Sequence, residues 1–339
     1  MSAKSSFNCR KVLSALAFML LFQVTNAQLN FIGLDKKLEA AKNDIGKNYA
    51  CLIYKDGKII YKKETVGFDA KTQANIGASS KWLVAALVMT YVDQGKISLD
   101  DKVSTYLPIL NNYRKTYITI RQCLSELTGI KPCNPAGTSL EEIVNAYASK
   151  CDIETNPGTE FTYNQIGINI AARVCEIVAK RGFEQIMNER IIRPLGMRNT
   201  SFFSNGSINP SGGATSSAGD YINFLSLFLN KGLFNGKQVL TEKSLEELAK
   251  VQTSLGMIKT APKLADGYNY ALASWVQEAD ISNKAITLSC PGLGGTYPWV
   301  DKCRGYAAII FTKNNNGEGG KANFTDIKHF IDGIIGECR

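Results

Sequence analysis

Residues 76–108 read IGASSKWLVAALVMTYVDQGKISLDDKVSTYLP, and the reading of this stretch decides the fold. From Ser79 to Gln94 it is apolar almost all round, with Trp82, Leu83, Ala85, Ala86, Leu87, Val88, Met89 and Val92 leaving no polar stripe. A helix that is apolar on every side is one that other elements enclose, so this segment is expected at the centre of the molecule. Gly95 ends it. Lys81 is the exception: a lysine one turn into a buried helix needs a partner, and a pocket is expected around it. Residue 78 stands three positions before the lysine, on the same helix face, and it is alanine.

Outward from the helix, the chain divides into sheet-like ends and a helical middle. Phe31, Leu34, Leu38 and Ala41 give residues 31–43 helical spacing. Two strand-like runs, Tyr49–Tyr54 and Lys58–Lys63, flank Asp56-Gly57, a strong hairpin signal. Helices are expected at Ile120–Leu127, Leu140–Ser149, Gln165–Lys180, Phe183–Ile192, Ser217–Asn230 and Leu240–Lys250. Strands return at Tyr268–Gln277, Ala285–Ser289, Gly295–Val300 and Gly305–Thr312, before a terminal helix at about 322–336. The expected architecture is mixed α/β (α+β). An antiparallel sheet built from about 31–65 and 265–339 is flanked by terminal helices, and a helical region covers about 78–250.

Residues 1–27 fit a secretory signal: Lys4, Arg10 and Lys11, then an apolar run from Val12 to Phe22, then Thr25-Asn26-Ala27 before Gln28. The run is too short to span a bilayer, so residues 28–339 are expected as one exported domain, secreted or periplasmic, without a transmembrane segment. The formal charge of +9 includes the three signal cations. The remaining basic residues are scattered, which argues against a nucleic-acid partner. Eight cysteines follow the signal: Cys51, Cys123, Cys133, Cys151, Cys175, Cys290, Cys303 and Cys338. An even count in an exported chain suggests disulfides, with Cys123–Cys133 and Cys290–Cys303 the preferred local pairs. The single histidine, His329, sits in the terminal helical pattern, so Ser-His-Asp and Cys-His catalysis and histidine-rich metal sites are not expected. No metal or other cofactor is expected.

The ordered motifs support a closer comparison. Ile76–Pro108, Ile118–Gly129 (ITIRQCLSELTG), Pro157–Gly167 (PGTEFTYNQIG), Gly212–Leu225 (GGATSSAGDYINFL) and Cys290–Trp299 (CPGLGGTYPW) occur in that order. Together they resemble the serine β-lactamase-related family of class C β-lactamases, D-alanyl-D-alanine peptidases and esterases, over roughly residues 31–335. In that family a Ser-x-x-Lys motif presents the nucleophile at the start of the buried helix, beside the lysine that activates it. The resemblance implies that Lys81 is the motif lysine and Tyr163 the tyrosine that assists proton transfer. It implies that Gln165 stands in for an asparagine that binds substrate. Gly292 matches the glycine of the third motif, with the Leu293 and Ala78 N–H groups as oxyanion donors. Ser80 matches a serine often found just before the motif lysine. Cys290 replaces the cation that usually begins the third motif, which points away from substrates bearing a carboxylate. Ala78 replaces the nucleophile.

Successive helical residues lie about 100° apart, so neither Ser79 nor Ser80 takes the place of Ala78 on the face of Lys81. A displaced serine nucleophile and direct attack by water remain open readings, but the expectation is a hydrolase fold with impaired acyl transfer. Its partner is a small-molecule or peptide acyl compound. The alternative is a non-catalytic binding or sensor protein that keeps the cleft.

Overall fold

The computed structural model describes residues 29–204, 207–313 and 320–338. The signal-like segment lies outside them. The helices are α1 (Ile32–Ile45), α2 (Ser80–Asp93), α3 (Ile120–Leu124), α4 (Leu140–Lys150), α5 (Ile166–Ala179), α6 (Phe183–Met187), α7 (Ala218–Ser226), α8 (Glu242–Leu248) and α9 (Lys321–Ile335). The main sheet holds β1 (Tyr49–Lys55), β2 (Lys58–Glu64), β3 (Asn269–Tyr270), β4 (Trp275–Ala279), β5 (Ala285–Ser289), β6 (Tyr297–Asp301) and β7 (Tyr306–Thr312). Its order is β3-β4-β5-β6-β7-β1-β2, with every neighbouring pair antiparallel.

β1 and β7 form the centre of the molecule and are apolar on both faces. Tyr49, Cys51 and Ile53 of β1, with Tyr306, Ala308 and Ile310 of β7, meet Leu34, Leu38 and Ile45 of α1 and Phe324, Ile327 and Ile331 of α9. The alternate residues, Ala50, Leu52, Ala307, Ile309 and Phe311, join the larger core of the helical region. Side chains alternate across a strand, so a strand covered on both faces reads as one continuous apolar run. At the β1–β2 turn Asp56 and Gly57 take left-handed φ values of 49° and 80°, as a tight hairpin requires.

α2 is buried from Ser80 to Tyr91, as its all-round apolar sequence requires. It stops in a Schellman motif: Gly95, at φ 64°, donates to Val92 O at 2.9 Å, and Lys96 donates to Tyr91 O at 3.0 Å. A single 3₁₀ turn, Gly77–Ser79, precedes the α-helix.

Several expectations need correction. The helix expected to reach Leu127 ends at Leu124, because Glu126 takes a left-handed φ of 59°. The strand expected at Tyr268–Gln277 is two strands folded back through a turn at Ala273 (φ 58°). The disulfides are Cys133–Cys151 and Cys303–Cys338, with Cα atoms 6.0 and 5.0 Å apart. Neither preferred pair forms. Cys123 faces the core where Gly167 of α5 presses against its backbone, and Cys290 is buried beside the start of α2; both are reduced. Cys51 and Cys175 are buried and reduced as well. Among the described residues no helix is long and apolar enough to cross a membrane.

Candidate active site

The site forms where the start of α2 meets the glycine-rich turn between β5 and β6. Ile76 N–H donates to Ala214 O at 2.9 Å, which anchors the entry to the helix. The turn is pinned by Gly292 N–H to Thr296 O at 2.8 Å and Gly295 N–H to Gly292 O at 3.0 Å. A Cβ on Gly292 would lie 2.0 Å from Ile76 O, so only glycine lets the turn rest backbone to backbone on the helix entry. A Cβ on Gly77 would lie 3.1 Å from Leu293 N, which places that amide over the Gly77–Ala78 turn.

A cleft of about 280 Å³ opens between these two segments and the wall at 260–264. It is lined by Ala78, Tyr163, Thr260, Ala261, Pro262, Leu264, Pro291, Gly292 and Leu293, and none of these residues is charged. Neither Ala78 N–H nor Leu293 N–H takes part in a backbone hydrogen bond among the described residues. Ala78 lies in the first turn, where N–H groups have no partner within the helix. The Leu293 side chain is 58% exposed at the lip.

Behind the cleft, Lys81 is only 3% exposed. Its ammonium donates to Glu126 Oε1 at 2.9 Å and to the Asn164 carbonyl, and it lies 4.8 Å from the centroid of the Tyr163 ring. The other oxygen of Glu126 accepts from Asn164 N–H at 3.2 Å. Burial raises the Glu126 carboxyl above its ordinary value, and Lys81 and the Asn164 amide pull it back. Tyr163 Oη is buried without a hydrogen-bond partner of normal geometry. Burial pushes the phenol well above its ordinary value, Cys290 and Glu126 push it further, and the neighbouring Trp275 indole relieves this only in part. The phenol is therefore a neutral donor.

The two serines beside Ala78 are occupied elsewhere. Ser79 Oγ is buried and donates to Cys290 O at 2.5 Å; Ser80 Oγ donates to Gly77 O at 2.6 Å and accepts from Ala214 N–H at 3.2 Å. Cys290 is a buried thiol donating to Ala78 O at 3.3 Å, and burial raises it to about 12. It is thus neither a disulfide half nor a thiolate.

The structure brings Ala78, Tyr163, Gly292 and Leu293 together at the cleft, with Lys81 directly behind Tyr163. Gln165 does not line the cleft: its amide donates to Asn134 Oδ1 at 3.0 Å. Ser80 acts within the fold, bridging the helix entry to residue 214. Trp299 and Tyr297 belong to the core under α9, while Trp275 packs behind Tyr163 with ring centroids 5.4 Å apart. Sequence reasoning missed Glu126. The signal was present, because a buried lysine needs a counter-charge and Ser-Glu-Leu-Thr-Gly places a lone acid in an apolar stretch. The 260–264 wall carried no comparable signal.

A seven-stranded antiparallel sheet between terminal helices, with a cleft at the start of a buried helix, defines the architecture shared by β-lactamases and penicillin-binding proteins. The sequence profile of the family described as Beta-lactamase matches residues 47–329, and the chain belongs to that family. It is 23% identical to Protein flp of Staphylococcus aureus (strain MW2) over 172 residues, covering 44% of this chain and 34% of that protein. It is 22% identical to the D-alanyl-D-alanine-carboxypeptidase/endopeptidase AmpH of Escherichia coli (strain K12) over 138 residues, covering 38% and 36%. The chain thus spans only about a third of the length of these relatives. Among solved structures, a β-lactamase candidate from Bacteroides dorei superposes with a TM-score of 0.80 at 24% identity, covering 89% of this chain and 98% of that one. That likeness shows the fold.

Proposed function

We propose that this chain is an exported protein of hydrolase ancestry that binds an acyl compound in the cleft at Ala78 without forming an acyl-enzyme. One observation carries the reading: the side chain of residue 78 has no oxygen, and the hydroxyls of Ser79 and Ser80 are committed to Cys290 O and Gly77 O. Acyl-serine chemistry needs a hydroxyl that faces both a base and the oxyanion donors. The rest of the cleft suits a carbonyl ligand. Ala78 and Leu293 line it with N–H groups that no backbone bond takes among the described residues, and the Tyr163 side chain lines it beside them. Its uncharged lining favours a neutral acyl group over one bearing a carboxylate. The names of AmpH, a peptidase, and of the structural neighbour EstCE1, a hydrolase with promiscuous acyltransferase activity, denote chemistry on carbonyl compounds of this kind. The two disulfides fit an oxidising compartment.

The test uses the protein with p-nitrophenyl butyrate. Trp275 packs against Tyr163, so binding is expected to change the intrinsic fluorescence, while p-nitrophenol release stays at the buffer rate. Release above that rate, retained through further purification, would overturn the reading in favour of turnover by Lys81, Tyr163 and water.

A further inference from the structure

Glu126 sits where a merely structural carboxylate would be costly. It is buried, in a left-handed backbone conformation, and both of its oxygens are taken. Oε1 receives the Lys81 ammonium at 2.9 Å, and Oε2 receives the Asn164 amide at 3.2 Å. The same ammonium also donates to the Asn164 carbonyl. Lysine, glutamate and the backbone of one residue, Asn164, therefore close a ring of hydrogen bonds that ties α2 to the 161–165 segment carrying Tyr163. The ring takes two N–H donors of the lysine; as an ammonium, with three donors and no lone pair, it cannot accept a proton there.

We infer that Glu126 is the positioning residue for Lys81, holding it as a charged strut, so that this carboxylate withholds the base from any nucleophile at residue 78. The inference rests on the reading of residue 78 as the vacated nucleophile position. It adds that the missing hydroxyl is one of two obstacles to acyl transfer. The step concerned is the attack of a serine Oγ on an activated acyl or phosphonyl centre. The O–C or O–P bond forms, the bond to the leaving group breaks, and the serine proton must pass to an amine with a free lone pair before reaching the leaving group. Held in this ring as an ammonium, Lys81 has no such lone pair. Tyr163, Tyr270, Cys123 and Cys290 are the other titratable groups around the pair. Burial raises all four, Cys290 to about 12, so none carries charge in the working range and the carboxylate alone opposes the ammonium.

The test is the pH dependence of labelling by a fluorophosphonate, followed by intact mass, in Ala78→Ser, Ala78→Ser/Glu126→Gln and Ala78→Ser/Glu126→Asp. The expected result is that Ala78→Ser labels slowly near neutral pH. Glu126→Gln should shift the rising limb down by about one pH unit or more, and Glu126→Asp, which keeps the charge, should leave it near its original place. A merely structural Glu126 would change the amount of folded protein and leave the profile where it is. That outcome overturns the inference, as does loss of labelling in the glutamine variant, which would make Glu126 the proton acceptor. Should the glutamine variant not fold, the ¹⁵Nζ resonance of Lys81 in Ala78→Ser decides: an ammonium shift at neutral pH is expected, and an amine shift overturns the inference. Labelling of the unmodified protein, or none of Ala78→Ser at any pH, would instead sink the parent reading of residue 78.

Discussion

Lys81 and Glu126 have left water together, with side chains 4% and 0% exposed, and each makes the burial of the other tolerable. Removing one partner of such a pair costs about 3–5 kcal/mol, whereas replacing both by apolar residues of similar volume is often neutral. Lys81→Met is therefore expected to destabilise the protein by about 3–5 kcal/mol, and Lys81→Met/Glu126→Leu to recover most of that in denaturant unfolding. The single variant has a pH signature. Without Lys81, burial still raises the Glu126 carboxyl and the opposing charge is gone, so the folded state holds a proton more tightly than the unfolded chain. Its stability is then greatest below the ordinary carboxylate range and falls as pH rises through the raised value. A deficit that does not grow between acid and neutral pH would contradict the pairing.

At the scale of elements, the cleft exists because a turn and a helix entry touch through their backbones. Gly292 is where that contact is tightest. Gly292→Ala would set a methyl 2.0 Å from Ile76 O, and neither partner is a flexible side-chain tip. Forced overpacking of this kind costs about 1–3 kcal/mol, and here it displaces the turn that carries Leu293 N–H from the helix entry. The expected outcome is a lowered Tm together with lost binding of p-nitrophenyl butyrate. By contrast Gly57→Ala, where an added Cβ meets nothing within 4 Å, should leave binding intact although its φ of 80° is strained. Loss of binding in neither variant would show that the turn does not build the site.

For the whole molecule, what could be read from sequence followed from periodicity, and what could not followed from contacts between distant segments. The all-round apolar pattern of 79–94 identified the buried helix, and the two ends with continuous strand-like runs identified a sheet assembled from both termini. Motif spacing placed Lys81, Tyr163 and Gly292 within their own elements, and the structure groups them around one cleft. The cysteines were not legible. Proximity along the chain favoured Cys123–Cys133 and Cys290–Cys303, whereas packing turns Cys123 and Cys290 inward and leaves Cys133 and Cys303 to meet Cys151 and Cys338. Gln165 stands at the N-cap position of α5 without a side-chain capping bond, and its amide turns instead to Asn134, a contact between segments that sequence spacing does not announce. Glu126 escaped notice because, although a buried lysine calls for a counter-charge, its partner stands 45 residues away and local propensity does not select it.

The central claim is that residue 78 is a vacated nucleophile position, lacking the side-chain oxygen that acylation requires. It is tested most directly by exposing the unmodified protein and Ala78→Ser to a fluorophosphonate and mapping any adduct by mass spectrometry. The account predicts no adduct on the unmodified protein and a single adduct at residue 78 of the variant. An adduct on Ser79 or Ser80 of the unmodified protein would contradict it.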